Sequence, residues 1–436
     1  MADVERLISL LARDAFRAMQ PFVPNAARPD GRTTLLDYEP NEVASAVSHH
    51  ASFREAVEAV AADDDLGKIA PMGDLGPVLL AATGGPRVSA NELVGDCVVA
   101  AAVEMRCRGL EPRADSLVEM SLQNVERLRG IARRTPVYVS TFFGLSGVSA
   151  PENRALELPW GKLAAPVGWY GFARVFERRP TSCVLIAEHV LDIAIEAPQP
   201  PQHQAIEGEL TMVFVDPKDV PPPIRNYHEW SVRTLQLIGL CVVLGTPNRR
   251  VAPVPTFQLT VVPYESQFGG RGHLVLAPPA VERTLTEEEC REIERFAPIL
   301  KAHYSPRLEV VGRRIIAAVT QRLDPADRLI DAVTAWESLF SAHVDASFRV
   351  TAAIALLLEP TDAMRRGELQ RELVKIYYLR SDVVHGRSTD DMVVFSQSYA
   401  ATEMAIQAFG ALLERRPDLI EHDPAERSRR LLLGLS

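Results

Sequence analysis

Beyond Arg283 the sequence carries no strand signal, and this change of texture limits the possible fold more than any other feature. "TLTEEECREIERFAPIL" opens with Thr284 or Thr286 followed by glutamates, the pattern of a capped helix start. "SPRLEVVGRRIIAAVTQRL", "DPADRLIDAVTAWESLFSA", "SFRVTAAIALLLE", "TDAMRRGELQRELVKIYYLRSDVVHG" and "DDMVVFSQSYAATEMAIQAFGALLERRP" follow. Their apolar residues recur at helical spacing. About five helices joined by short loops must bury these stripes against one another, so an all-α bundle is expected over 283–436.

The region before it reads differently. From about Pro136, "PVYVSTFFGLSG", "CVLIAEHVLDIAIEA", "GELTMVFVD", "LIGLCVVLG", "PTFQLTVVPYE" and "GHLVLAP" are short β-branched or aromatic runs divided by Pro and Gly. They predict strands of an antiparallel or mixed sheet. The Pro-rich "APQPPQHQ" and "DPKDVPPPIRN" connect them. Residues 1–135 read as mainly helical, through "VERLISLLARDAFRAM", "NEVASAVSHHASFREAVEAVAA", "NELVGDCVVAAAVEMRCRGL" and "SLVEMSLQNVERLRGIARR". The expected class is α+β. Segments 1–135 and 136–282 pack as one α+β unit, followed by the bundle at 283–436.

Composition narrows the function. At 436 residues and 47% hydrophobic, the chain has room for two or three globular domains. "MADVERLISLLARDAFRAMQ" reads as an amphipathic helix rather than a signal peptide. The longest apolar run, Leu237 to Gly245, is less than half of the roughly 20 residues that span a bilayer. Cys97, Cys107, Cys183, Cys241 and Cys290 are scattered, with no CxxC and no Cys/His cluster. That pattern predicts no zinc site and no disulfide framework. A soluble cytoplasmic protein with no membrane contact, metal or cofactor is expected. The net charge of −10 lies almost wholly before Lys301, because 18 Lys and Arg balance 19 Asp and Glu after it. Any contact with RNA must therefore be local and geometric, or must gather arginines through a dimer.

"YYLRSDVVHGRS", Tyr377 to Ser388, holds the most unusual placement. Leu369, Leu373, Ile376 and Val383/Val384 follow a core-facing stripe, and Arg380 interrupts it. A buried guanidinium needs a partner. Glu337, at the edge of the Leu329/Ile330, Val333, Trp336, Phe340 stripe, is the candidate to pair with Arg380 or orient His385. Gly386 suits a left-handed helix end, which places His385 in the last turn at the negative end of the helix dipole. Imidazole there can act as an acid or base, while the planar arginine fork can hold a phosphate. Together they suffice for RNA cleavage without a metal. The same residues can also be read as a structural ion pair and a helix cap. Spacing alone decides nothing, since Arg415 and Arg416 stand at similar distances before His422 around a proline.

"RLIDAVTAWESLF" (Arg328–Phe340), "SFRVTAAIALLL" (Ser347–Leu358) and "YYLRSDVVHG" (Tyr377–Gly386), with "TLTEEECREIERF" before them, resemble the HEPN superfamily and its Apea-like group over roughly 284–415. The resemblance implies a helical bundle that dimerises, with the Arg/His elements of both copies in one composite cleft. It also implies metal-independent endoribonuclease activity in a defence or toxin context. Arg380 and His385 would be the catalytic pair and Glu337 the supporting acid, with Ser381, Asp382 and Tyr377 beside them. Ser381 stands where the wider superfamily often has Asn, Asp or His, and Ala353 where relatives often carry an arginine. The alternatives are a non-catalytic HEPN scaffold for dimerisation or nucleotide or nucleic-acid binding, and a β-region that takes a small ligand. Either way, the N-terminal region is expected to sense or bind a ligand or protein.

Other motifs read as structural. "GGRGH", Gly269 to His273, lacks a Walker lysine and fits a hairpin turn. His49 and His50 fit a solvated or half-buried pair, and Trp160, Trp169 and Tyr170 fit core packing of the β-region rather than base stacking. "ERSRRLLLGLS" fits a solvated helix end.

Overall fold

The computed structural model describes residues 2–19, 35–72, 76–80, 87–110, 113–151, 154–165, 181–191, 193–196, 222–248, 250–264, 271–272, 283–340 and 345–435. The expected strand "GELTMVFVD", most of "GHLVLAP", "APQPPQHQ", the start of "DPKDVPPPIRN", and Trp169 and Tyr170 lie outside these residues.

In chain order the elements begin with helices α1 (Ala2–Ala15), α2 (Leu35–Ser48), α3 (Phe53–Ala62) and α4 (Leu66–Ile69). Strand β1 (Val78–Leu80), helices α5 (Ala90–Cys107) and α6 (Ala114–Ala132) and strand β2 (Val137–Ser146) come next. Then come β3 (Leu156–Leu158), β4 (Gly161–Ala164), β5 (Cys183–Leu191), β6 (Ala194–Glu196), helix α7 (Pro222–Gly245), β7 (Val254–Val261) and β8 (Arg271–Gly272). Helices close the chain: α8 (Glu287–His303), α9 (Glu309–Ile316), α10 (Pro325–Phe340), α11 (Ala346–Leu358), α12 (Ala363–Val384), α13 (Asp391–Arg415) and α14 (Pro424–Leu433). The fold is mixed α+β. The main sheet runs β3-β4-β5-β2-β7-β8, with β4–β5 and β7–β8 antiparallel, and β1 pairs antiparallel with β6.

Contacts divide the chain into two compact units. The first takes Met1–Gly144, Trp160–Val232 and Thr256–His273; the second takes Leu145–Pro159, Arg233–Pro255 and Leu274–Ser436. The second unit therefore takes Leu145–Pro159, Arg233–Pro255 and the stretch from Leu274 out of the 136–282 span, whose packing is expected to be with the N-terminal helices.

In the first unit, α1, α3, α5 and α6 bury Leu7, Leu11, Val57, Val94, Val98 and Leu128 in one core. A second cluster joins α5 to the sheet, with Ala100, Val103 and Cys107 against Phe142, Val184, Phe257 and Leu259. Ser89 caps α5 by exchanging hydrogen bonds with Glu92. Two buried charges are each met by several opposite or polar groups, with Arg129 Nε alone left without an acceptor among the described residues. Arg129 donates to Glu5, Asp63 and Glu126. Glu104 receives Arg108, Arg127 and Ser140; burial pushes its carboxyl up, but the two guanidiniums hold it below its ordinary value. "NEVASAVSHHASFREAVEAVAA" forms two helices rather than one. The break falls at His50, whose Nδ1 accepts from Ser52 N–H at 3.0 Å while Nε2 meets Asp14 at 2.9 Å. In "GGRGH", Arg271–Gly272 pairs antiparallel with β7, while Gly269, Gly270 and His273 lie outside the described residues.

In the second unit, Trp336, Leu339 and Phe340 of α10 are fully buried, as are Ala405, Phe409 and Leu412 of α13. The Trp336 indole donates to the Ala401 carbonyl at 3.1 Å. Thr286, not Thr284, caps α8 in a box with Glu289. "LIGLCVVLG" is the end of helix α7, not a strand. Every residue from Leu237 to Leu244 except Gly239 is a buried apolar side chain, so neither the two-residue nor the 3.6-residue period shows in the sequence. Gly245 lets this helix meet α8 closely, since a Cβ there would stand 2.4 Å from Ile293 Cγ1. "ERSRRLLLGLS" is solvated at Arg429 and from Leu433 to Leu435, but not throughout. Arg427 is fully buried and donates to the carbonyls of Leu419, Ile420, Ser338 and Leu339, the last two in the final turn of α10.

Candidate active site

Helix α12 starts where the Asp362 carboxylate accepts from the N–H groups of Met364 and Arg365, both at 3.0 Å. It stops in a Schellman turn: Gly386 takes φ +65°, its N–H bonds the Val383 carbonyl at 3.1 Å, and Arg387 N–H bonds the Asp382 carbonyl at 2.9 Å. His385 is thereby the last residue before the left-handed turn.

Between these ends the expected stripe is only half a core stripe. Leu373 and Ile376 are buried, whereas Val383 is half-buried and Val384 is exposed. Arg380 thus sits where α12 leaves the core, with its side chain 23% exposed. Its Nη2 donates to Glu337 Oε2 at 3.3 Å, and Tyr377, one turn earlier, donates its hydroxyl to Glu337 Oε1 at 2.7 Å. Consecutive turns of α12 therefore hold both oxygens of one carboxylate on α10. Burial first, and then the bond to Glu337, pushes the Tyr377 phenol up to about 12. Among the described residues one of the guanidinium's donors is engaged, and its buried Nε meets no acceptor.

The other residues singled out from the sequence separate from this cluster. His385 is exposed, and its ring makes no hydrogen bond or ion pair among the described residues. Asp382 turns to Arg387, at 2.7 Å, and ties down the turn; the sequence reading had not singled out Arg387. Ser381 contributes its carbonyl to the His385 N–H at 3.0 Å. The chance pattern before His422 dissolves into structure: Arg415 caps the Leu357 carbonyl and Arg416 pairs with Asp418.

Among the described residues, no group of three or more His, Cys, Asp or Glu side chains is placed to hold a metal, and all five cysteines are buried thiols. No described helix is long and apolar enough to cross a membrane. Sequence reasoning passed over His189, Tyr227 and Trp230, which converge in the first unit. The i, i+3 spacing of Tyr227 and Trp230 was the available signal, hidden because their helix had been read as a connection and a strand.

The fold and this cluster define an α+β protein with an arginine–carboxylate–tyrosine cluster beside an open helix-end histidine. No protein-family model, curated protein or solved structure matches the chain.

Proposed function

We propose that residues 283–436 are a HEPN-type bundle that cleaves RNA as a homodimer in a defence or toxin context, while the N-terminal region binds or senses a partner. The observation that carries this reading is the unequal setting of Arg380 and His385. Glu337, itself held by Tyr377, fixes the arginine, whereas the histidine of the same helix has no hydrogen-bond or ion-pair partner among the described residues. A site that needs both groups is completed when the same residues of a second copy come opposite.

The chemistry then needs an acid, a base and a cation. One imidazole takes the 2′-hydroxyl proton, the 2′-oxygen bonds phosphorus, and the P–O5′ bond breaks. The other imidazole, protonated, gives its proton to the leaving 5′-oxygen, and the product is a 2′,3′-cyclic phosphate. The unused donors of Arg380 stabilise the added charge on the phosphorane oxygens.

His385→Ala and Arg380→Ala should each abolish cleavage while circular dichroism and dimer mass stay unchanged. Undiminished cleavage in both would refute the mechanism. The non-catalytic scaffold reading is favoured by the closed Arg380–Glu337–Tyr377 cluster. It predicts instead that Arg380→Ala unfolds the bundle and that the wild type leaves RNA intact.

A further inference from the structure

The first unit carries a cleft of about 670 Å³ between the end of β5, the start of β2 and the first turns of α7. That volume lies within the roughly 300–1,000 Å³ of small-molecule sites. Three of its walls are aromatic rings in mutual contact. His189 stacks on Trp230 with centroids 4.2 Å apart, and Tyr227 lies 5.1 Å from His189 and 5.7 Å from Trp230. Tyr138, 60% exposed, forms the lip.

Behind the rings, where a sheet and a helix usually meet through apolar side chains, runs a chain of hydrogen-bonding side chains. Ser231 donates to Gln258 at 2.8 Å, and the Gln258 amide donates to the Tyr227 hydroxyl. That hydroxyl shares a hydrogen bond with Thr260, Thr260 shares one with Thr141 at 2.9 Å, and the Thr141 hydroxyl stands 3.4 Å from His189 Nδ1. With Thr141 donating to Nδ1, the ring proton sits on Nε2. Burial also pushes the His189 pKa down to about 4, which keeps the ring uncharged at neutral pH. Such fully connected buried networks hold a side chain in one orientation.

The lining sets the class of ligand. Among the described residues it contains no lysine or arginine, and the one ionised group among them, Glu188, is already paired with Arg108 at 2.7 Å. A phosphate would meet a carboxylate there instead of a cation. Rings already in contact offer one shared stacking surface, not the box of separated rings that encloses a quaternary ammonium.

We propose that this cleft binds an uncharged planar heteroaromatic ring of the nucleoside type, stacked on the His189–Tyr227–Trp230 cluster and accepting a hydrogen bond from His189 Nε2. The site lies within the first unit and does not depend on RNA cleavage.

The test titrates the full-length chain with adenosine, guanosine, cytidine and uridine, read by calorimetry and by tryptophan emission. None of these carries a phosphodiester for the other site to act on. At least one should bind saturably and quench the emission. Tyr138→Ala, a change at an exposed side chain, should weaken that binding about tenfold, the effect of removing one stacking partner. His189→Phe, which keeps a ring and removes the donor, should weaken it as well. The 5′-monophosphate of the same nucleoside should bind less tightly. The proposal is overturned if no nucleoside binds, if the monophosphate or choline binds more tightly, or if both variants bind like the wild type.

Discussion

Glu337 is the residue on which the C-terminal site turns. Its two oxygens receive Tyr377 and Arg380 from successive turns, so replacing it with glutamine removes the charge while keeping the shape. Glu337→Gln should lower the Tyr377 phenol pKa from about 12 toward its ordinary 10, seen by ultraviolet difference titration of the tyrosinate band. An unshifted titration would mean that burial alone sets it. His189 gives a second residue-scale expectation, with the opposite sense. Its pKa falls from 6.5 in the unfolded chain to about 4 in the fold because burial disfavours the cation. The unfolded chain therefore binds the extra proton first. The stability this histidine contributes is full above pH 6.5 and is lost as pH falls from 6.5 to about 4. Urea midpoints measured across that window should drop in the wild type and drop less in His189→Phe.

The helices of the second unit differ in how much they disclosed in advance. The start of α8 and the end of α12 were legible because caps are local: Thr286 with Glu289, and Gly386 after His385, are fixed by neighbours in sequence. The Arg380–Glu337 pairing was legible because a charge on an apolar stripe demands an opposite charge on a facing one. The end of α7 was not legible, since burial on every side erases the period by which helices are read. Arg427 was not legible either, because its acceptors are main-chain carbonyls far away in sequence that no side-chain pattern marks. Removing it takes a buried donor away from those carbonyls. Arg427→Met should destabilise the second unit by about 3 kcal/mol in urea unfolding, whereas Arg429→Met, at an exposed partner of Glu426, should cost less than about 1 kcal/mol.

At the scale of the whole molecule, exposed apolar side chains gather on α12 and α13. Tyr378 and Val384 stand on one helix, and Met392, Phe395 and Tyr399 on the next. This is the surface that dimerisation of the bundle would cover, and it flanks His385 in sequence. Phe395→Glu should convert the proposed dimer to monomer in sedimentation equilibrium and abolish the proposed RNA cleavage with it, while thermal unfolding stays within a few degrees of wild type. A monomeric variant that still cleaves RNA would show that one chain suffices. Charge agrees with a site made locally: the acidic excess lies before Lys301, and the helical region after it is close to neutral.

The most direct measurement of the central claim is the chemical nature of the cut RNA end. Wild-type protein and His385→Ala are incubated with a defined single-stranded RNA in excess EDTA, and the products are analysed by mass spectrometry. The account predicts fragments ending in 2′,3′-cyclic phosphate from the wild type and intact RNA from His385→Ala. Intact RNA with the wild type, or the same fragments from His385→Ala, would contradict it.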